Sequence, residues 1–169
     1  YSVENAALEV MRTGQPAGVK NLIIARESDY ATGQDFLTIQ LPSGRKLFYV
    51  KPFLSPNQWG NDSIHYYGMD QTTKKWTVVD TYGGKLVENT VQAIARDCLA
   101  EAMNNLECYG YSIVMHVHDE VIIDQPVNYG DDDEQLLNHA CDIMGLPISW
   151  APGLLLKADG YATEFYKKD

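Results

Sequence analysis

The chain has 169 residues, 45% of them hydrophobic, which places it among globular proteins with a packed core rather than disordered ones. Its 23 acids against 13 bases leave a net charge of −10, which argues against a surface that grips phosphates throughout, although carboxylates holding divalent ions can supply local positive charge. No apolar run reaches membrane-spanning length, and Cys98, Cys108 and Cys141 are too few and too scattered for a disulfide framework or a zinc cluster, so a reducing, cytoplasmic setting is expected.

The chain opens on Tyr1 without a charged or apolar leader, which suggests a piece of a longer polypeptide. Ser2 can cap a helix over Val3 to Thr13, where Val3, Ala6, Ala7 and Val10 repeat at helical spacing and Gly14 supplies a stop. A β-meander should follow, with strands over Val19 to Ala25, Phe36 to Leu41 and Lys46 to Val50, the last two joined by Pro42-Ser43-Gly44. Composition makes Pro52 to Asp62 a loop, after which Ile64 to Met69 and Lys75 to Val79 read as strands around the polar turn Asp70 to Thr73. The fold class expected is α+β, an antiparallel sheet packed against helices, with the meander as an insertion.

The strongest helical signal is Lys85 to Glu107. Val87, Val91, Ile94, Ala95, Cys98, Leu99, Ala102, Met103 and Leu106 form an apolar face expected to be core. Glu88, Asn89, Gln92 and Arg96 make a polar stripe on another side; a solvated face is the ordinary explanation, but Asn and Gln also suit the acceptor-rich minor groove of DNA. Cys108-Tyr109-Gly110 ends the helix and leads into Ile113 to Asp124, where the apolar runs Ile113 to Val117 and Val121 to Ile123 flank His118, Asp119 and Glu120. The geometry expected is a tight hairpin with two acids at its tip, a tip that lacks the usual glycine or asparagine. The acids either keep the turn solvated or hold a metal ion. Farther on, the chain passes Asn128-Tyr129-Gly130, and the acids of Asp131 to Glu134 suit the start of a helix over Gln135 to Met144; the spacing does not match an EF-hand. Leu154 to Lys157 and Gly160 to Thr163 read as a last strand region beside the hairpin.

Phosphoryl transfer needs divalent ions that clamp the attacking and leaving oxygens, and a rigid hairpin carrying Asp119 is a suitable mount for one ligand. Val117-His118-Asp119-Glu120 between two apolar strands, preceded by Thr81-Tyr82-Gly83-Gly84-Lys85-Leu86-Val87-Glu88-Asn89 and Gln92 to Asp97, resembles the last catalytic motif and its preceding helix in the family A DNA polymerases, the relatives of bacterial DNA polymerase I, and is most similar to phage and prophage members. The resemblance implies a palm-like region in which 1–80 holds the end of a fingers-side helix plus the meander, and 81–169 holds the long helix and hairpin. It implies Asp119 as a ligand of a site with two Mg²⁺ ions, for which Mn²⁺ can substitute, Glu120 as a neighbouring catalytic acid, and His118, Gln92, Asn89, Lys85 and Arg96 as DNA contacts. The implied partners are primer-template DNA, a deoxynucleoside triphosphate and the other polymerase subdomains, with no membrane.

The chain departs from cellular relatives at Gly84 and Glu88, which stand where those carry Arg and Asn; Lys85 and Asn89, one residue along, are the candidate replacements. An Asp-Tyr-Ser-type motif for the other metal-binding Asp and a basic helix for the triphosphate are both missing and are expected upstream of Tyr1, so the fragment alone should be inactive. Two other readings compete. His116 and His118 could open a zinc metallohydrolase site, with His65 and His139 the remaining imidazoles, or the chain could be a non-catalytic binding module whose acids merely face solvent.

Overall fold

The computed structural model describes residues 2–126 and 132–166, so the passage expected through Asn128, Tyr129 and Gly130, together with Asp131, lies outside the described residues. Among the described residues it is an α+β fold with three helices, a six-stranded antiparallel sheet and a separate two-stranded sheet. The chain divides into two compact units, Tyr1–Ile94 and Ala95–Asp169. Acids and bases split unevenly between them: the first carries nine of each, whereas the second carries four bases and fourteen acids, so the whole net charge of −10 belongs to the second.

In the first unit, α1 (Val3–Thr13) begins where the Ser2 hydroxyl accepts from Asn5 N at 3.2 Å and ends at Gly14, whose φ of 72° permits the left-handed cap. The sheet is a continuous meander of β1 (Ala17–Val19), β2 (Leu22–Ser28), β3 (Asp35–Gln40), β4 (Lys46–Pro56), β5 (Asp62–Met69) and β6 (Trp76–Thr81), each strand paired with the next. One face, with Ile24, Leu37, Ile39, Tyr49 and Ile64, closes a core against Ala6, Ala7 and Val10 of α1. Leu86, Ala93 and Ile94, from the start of α2 (Gly83–Cys108), join the same core.

Three strand expectations are corrected here. The run Val19 to Ala25 is a hairpin rather than one strand: Val19 pairs with Leu22 across Lys20-Asn21, and Lys20 takes a φ of 52°. Two polar residues suffice for a tight turn, and the apolar residues on either side concealed it. The loop expected over Pro52 to Asp62 shrinks to 57–61, because β4 continues to Pro56 and β5 starts at Asp62. Pro52 cannot donate a ladder hydrogen bond, and the strand accommodates it with a register shift between Val50 and Phe53 and a φ of 48° at Lys51. Asn57 closes the shortened loop, its Oδ1 accepting from Trp59 N at 2.9 Å and Asn61 N at 3.1 Å. Finally, Leu154 to Lys157 and Gly160 to Thr163 form no strand. The run contains Leu154 and Leu155, both exposed, and so has no buried face to hold it on a sheet.

Along α2 the buried positions are Leu86, Thr90, Cys98, Leu99, Ala102 and Leu106, while Val87, Val91 and Ala95 of the expected core face are exposed. Thr90 tolerates burial because its hydroxyl donates to Leu86 O at 2.8 Å. The start of the helix depends on its glycines. A Cβ on Gly83 would lie 3.0 Å from Cβ of Glu4 on α1, closer than ordinary side-chain contacts permit. The Tyr-Gly-Gly opening therefore has a packing reason of its own.

The second unit has its own core of Leu106, Tyr111, Ala140 and Ile143, built by the end of α2 and by α3 (Asp133–Met144). Asp132 caps α3 through Glu134 N at 3.0 Å, with Asp133 and Glu134 in the first turn, as the acidic run predicts. Among the described residues no helix is long and apolar enough to cross a membrane.

Candidate functional site

The hairpin consists of β7 (Ile113–Val117) and β8 (Glu120–Ile123), paired Val117 to Glu120, His116 to Val121, Met115 to Ile122 and Ile113 to Ile123. The tip is thus the two-residue turn His118-Asp119, and Glu120 is the first residue of β8 rather than part of the turn. His118 adopts a φ of 53°, the left-handed conformation that two-residue hairpin turns demand and that histidine tolerates better than most side chains. A register shift between Ile113 and Met115 leaves Val114 bulged and increases the local twist.

Ile113, Val121 and Ile123 pack on the core of the second unit, and they mount the hairpin on α2 and α3. At its base Asp124 N donates to Ser112 O at 2.9 Å, and Ser112 N donates to the Gln125 side chain at 3.2 Å. Tyr111 stands beneath with its hydroxyl 2.8 Å from His139 Nδ1 and 3.2 Å from Leu136 O; burial pushes its phenol above the usual range. The pairing register puts Val117, Met115, Glu120 and Ile122 on the face away from this core. Glu120 therefore stands on the open face, and Asp119 projects from the turn.

Asp119 and Glu120 are both exposed and take no hydrogen bond or ion pair from other described residues. Exposed, unengaged carboxylates offer the hard oxygen donors that Mg²⁺ and Mn²⁺ prefer. Their number is the limit: among the described residues no group of three or more His, Cys, Asp or Glu is arranged to hold a metal ion. The donor chemistry fits a divalent ion, but among the described residues the ligand set is partial.

On α2, Arg96 and the hairpin meet directly: Arg96 Nη2 lies 3.4 Å from His116 Nε2. A guanidinium only donates, so in this contact His116 Nε2 is the acceptor. That arrangement disfavours the zinc reading, since a cation already occupies the lone pair a metal would use. His139 is engaged with Tyr111, and in the first unit His65 stacks on Phe53 at 5.5 Å between centroids.

In the first unit the polar stripe of α2 is a connected set. Glu88 accepts from Lys85 Nζ at 3.0 Å and from Gln92 Nε2 at 3.3 Å, the i to i+3 and i to i+4 neighbours on an exposed helical face. Asn89 departs from this stripe: half-buried, it donates to Tyr49 Oη at 3.2 Å. Lys85, Gln92 and Arg96 are exposed, and of the candidate DNA contacts on the helix only Asn89 is turned to the protein interior. Two features escaped the sequence reading, the Arg96–His116 pair and the linking role of Glu88. The second was legible in the spacing of 85, 88 and 92; the first joins residues twenty positions apart and required the fold.

Compared with known proteins, the whole chain is 44% identical over 170 residues to a DNA polymerase of Bacillus phage SP02. The chain spans 24% of that polymerase, about a quarter of its length. No family model matches the chain, and no solved structure matches it.

Proposed function

We propose that this chain is part of the palm of a phage DNA polymerase of family A, where it contributes to template-directed nucleotidyl transfer. The observation that carries the reading is the identity with the SP02 polymerase over the whole chain, which includes the hairpin with its exposed carboxylates. In this role Asp119 is one ligand of the divalent-ion site, completed by carboxylates from another region of the polymerase, and Glu120 is the adjacent acid on the open face. Bound Mg²⁺, or Mn²⁺ in its place, supplies charge neutralisation at the attacking and leaving oxygens. His118, Lys85, Gln92 and Arg96 hold the primer-template, with Asn89 steadying α2 through Tyr49 rather than reaching DNA first. The 169 residues alone should incorporate no nucleotide, in keeping with the absence of a group of three or more potential ligands among the described residues. A cytoplasmic setting in the phage-infected cell follows from this role, and three unpaired cysteines accord with it.

The Glu88 network leads to two expected results in the complete polymerase. Gln92→Ala should raise the primer-template concentration needed for half-maximal extension while leaving the maximal rate close to that of the parent enzyme. Unchanged extension at limiting DNA would remove Gln92 from the interface. Glu88→Gln should act in the opposite sense, because it deletes an acid near the phosphates and releases Lys85. Affinity should rise several-fold, and the slope of log affinity against log salt should steepen by about one unit. An identical salt slope in filter binding would mean that Lys85 does not meet a phosphate.

A further inference from the structure

Among the described residues, α1 and the start of α2 cover one face of the six-stranded sheet. The other face carries Ile23 (49% exposed), Phe48 (55%), Phe53 (38%), Tyr67 (37%), Met69 (50%) and Trp76 (60%). Register unites them: Phe53 pairs with His65, Tyr67 with Val50 and Val78, and Met69 with Trp76, all on the side opposite the α1 core. Phe53 lies 6.5 Å from Tyr67, and Phe36 and Phe48 meet edge-on at 5.6 Å between ring centroids. Exposed aromatic and apolar side chains gathered on one sheet face in this way are uncommon on a free surface and mark a binding face.

Its charge decides which kind of partner fits. Following the pairing register across the sheet, the charged residues assigned to this face are Glu27, Lys46 and Asp80, with exposed Lys51 at the bulge between Val50 and Phe53 at its edge. Lys46 Nζ is 2.7 Å from Glu27 Oε1, which also accepts from Thr38 Oγ1 at 2.8 Å. Lys46 is neutralised in place, and even with Lys51 counted the face carries no net positive charge. Nucleic acid stacked on these rings would bring phosphates to a face without net positive charge, against the electrostatics that such binding relies on. An apolar protein surface meets no such penalty, and aromatic and Met side chains are the types enriched in such interfaces.

We infer that this open face is an internal docking surface, covered in the complete protein by apolar side chains from another region of the same polymerase chain. The occupant is assigned to the same chain because the SP02 relative embeds the homologous segment in a polypeptide about four times as long. The inference rests on the polymerase reading given above.

Hydroxyl-radical footprinting of the complete protein, read residue by residue by mass spectrometry, tests it. Tyr30 (104% exposed) and Trp59 (75%), both in loops, serve as internal references. Met69, Trp76 and Phe48 should be oxidised roughly fivefold less than their exposure in this chain predicts, since covering takes a half-exposed side chain to nearly full burial. The protection should be present without DNA and independent of protein concentration. Oxidation in proportion to exposure would overturn the inference, as would protection that appears only with single-stranded or primer-template DNA, or that grows with concentration as a second copy docks. Failure of the polymerase reading is separately visible, as normal primer extension by an Asp119→Ala enzyme, and does not alter the footprint.

Discussion

Asp119→Ala in the complete polymerase should abolish primer extension, lowering the rate on the order of a thousandfold or more, because on the proposed reading about 4 kcal/mol of transition-state stabilisation is lost with a charged metal ligand. Asp119→Asn, which keeps the shape and removes the charge, should be nearly as inactive. Both variants should fold as the parent does, since Asp119 is exposed at a turn and bonds to no other described residue. The measurement is single-turnover extension of a labelled primer, with circular dichroism and thermal melting as folding controls. Extension within a few-fold of the parent would refute the role of Asp119 and favour the non-catalytic reading. Loss of activity together with loss of fold would assign the residue to the turn instead.

The largest effect on stability should come from Leu106→Ala. Leu106 is fully buried, and it anchors the core with Tyr111, Ala140 and Ile143 on which Ile113, Val121 and Ile123 of the hairpin rest. Removing it costs about 3 kcal/mol through lost burial and the cavity left behind. Leu106→Met, which nearly conserves volume, should cost less than about 1.5 kcal/mol. Denaturant unfolding followed at the second unit reads both. Loosening this core should also slow extension, because the hairpin that carries Asp119 loses its mount, and the deficit should shrink with a stabilising osmolyte. An Ala variant as stable as the Met variant would show that the cluster is not the support of the hairpin.

Much of the architecture was legible because its signals are local. Ser2 and Gly14 bracket α1, the acids before Gln135 mark the start of α3, and alternating β-branched runs mark most strands of the meander. The errors arose where a backbone conformation overrode composition. Lys20 and His118 take left-handed turns that their side chains do not advertise, and Pro52 sits in a strand only because a bulge accommodates it. Periodicity alone also misassigned Val87 and Val91, since it finds a face of a helix without saying which part of that face meets a partner.

The candidate site divides along the same line. The sequence by itself determined the order of elements, the α+β class and the hairpin with its acids, because these follow from spacing, capping and turn chemistry within a few residues. Only the tertiary structure decided that Asn89 turns inward to Tyr49, that His116 accepts from Arg96, and that all the excess negative charge lies in the second unit while the sheet of the first leaves an aromatic face open. Each of these depends on which residues, far apart along the chain, are brought together or left exposed when the strands pair and the helices pack, and no local pattern carries that information.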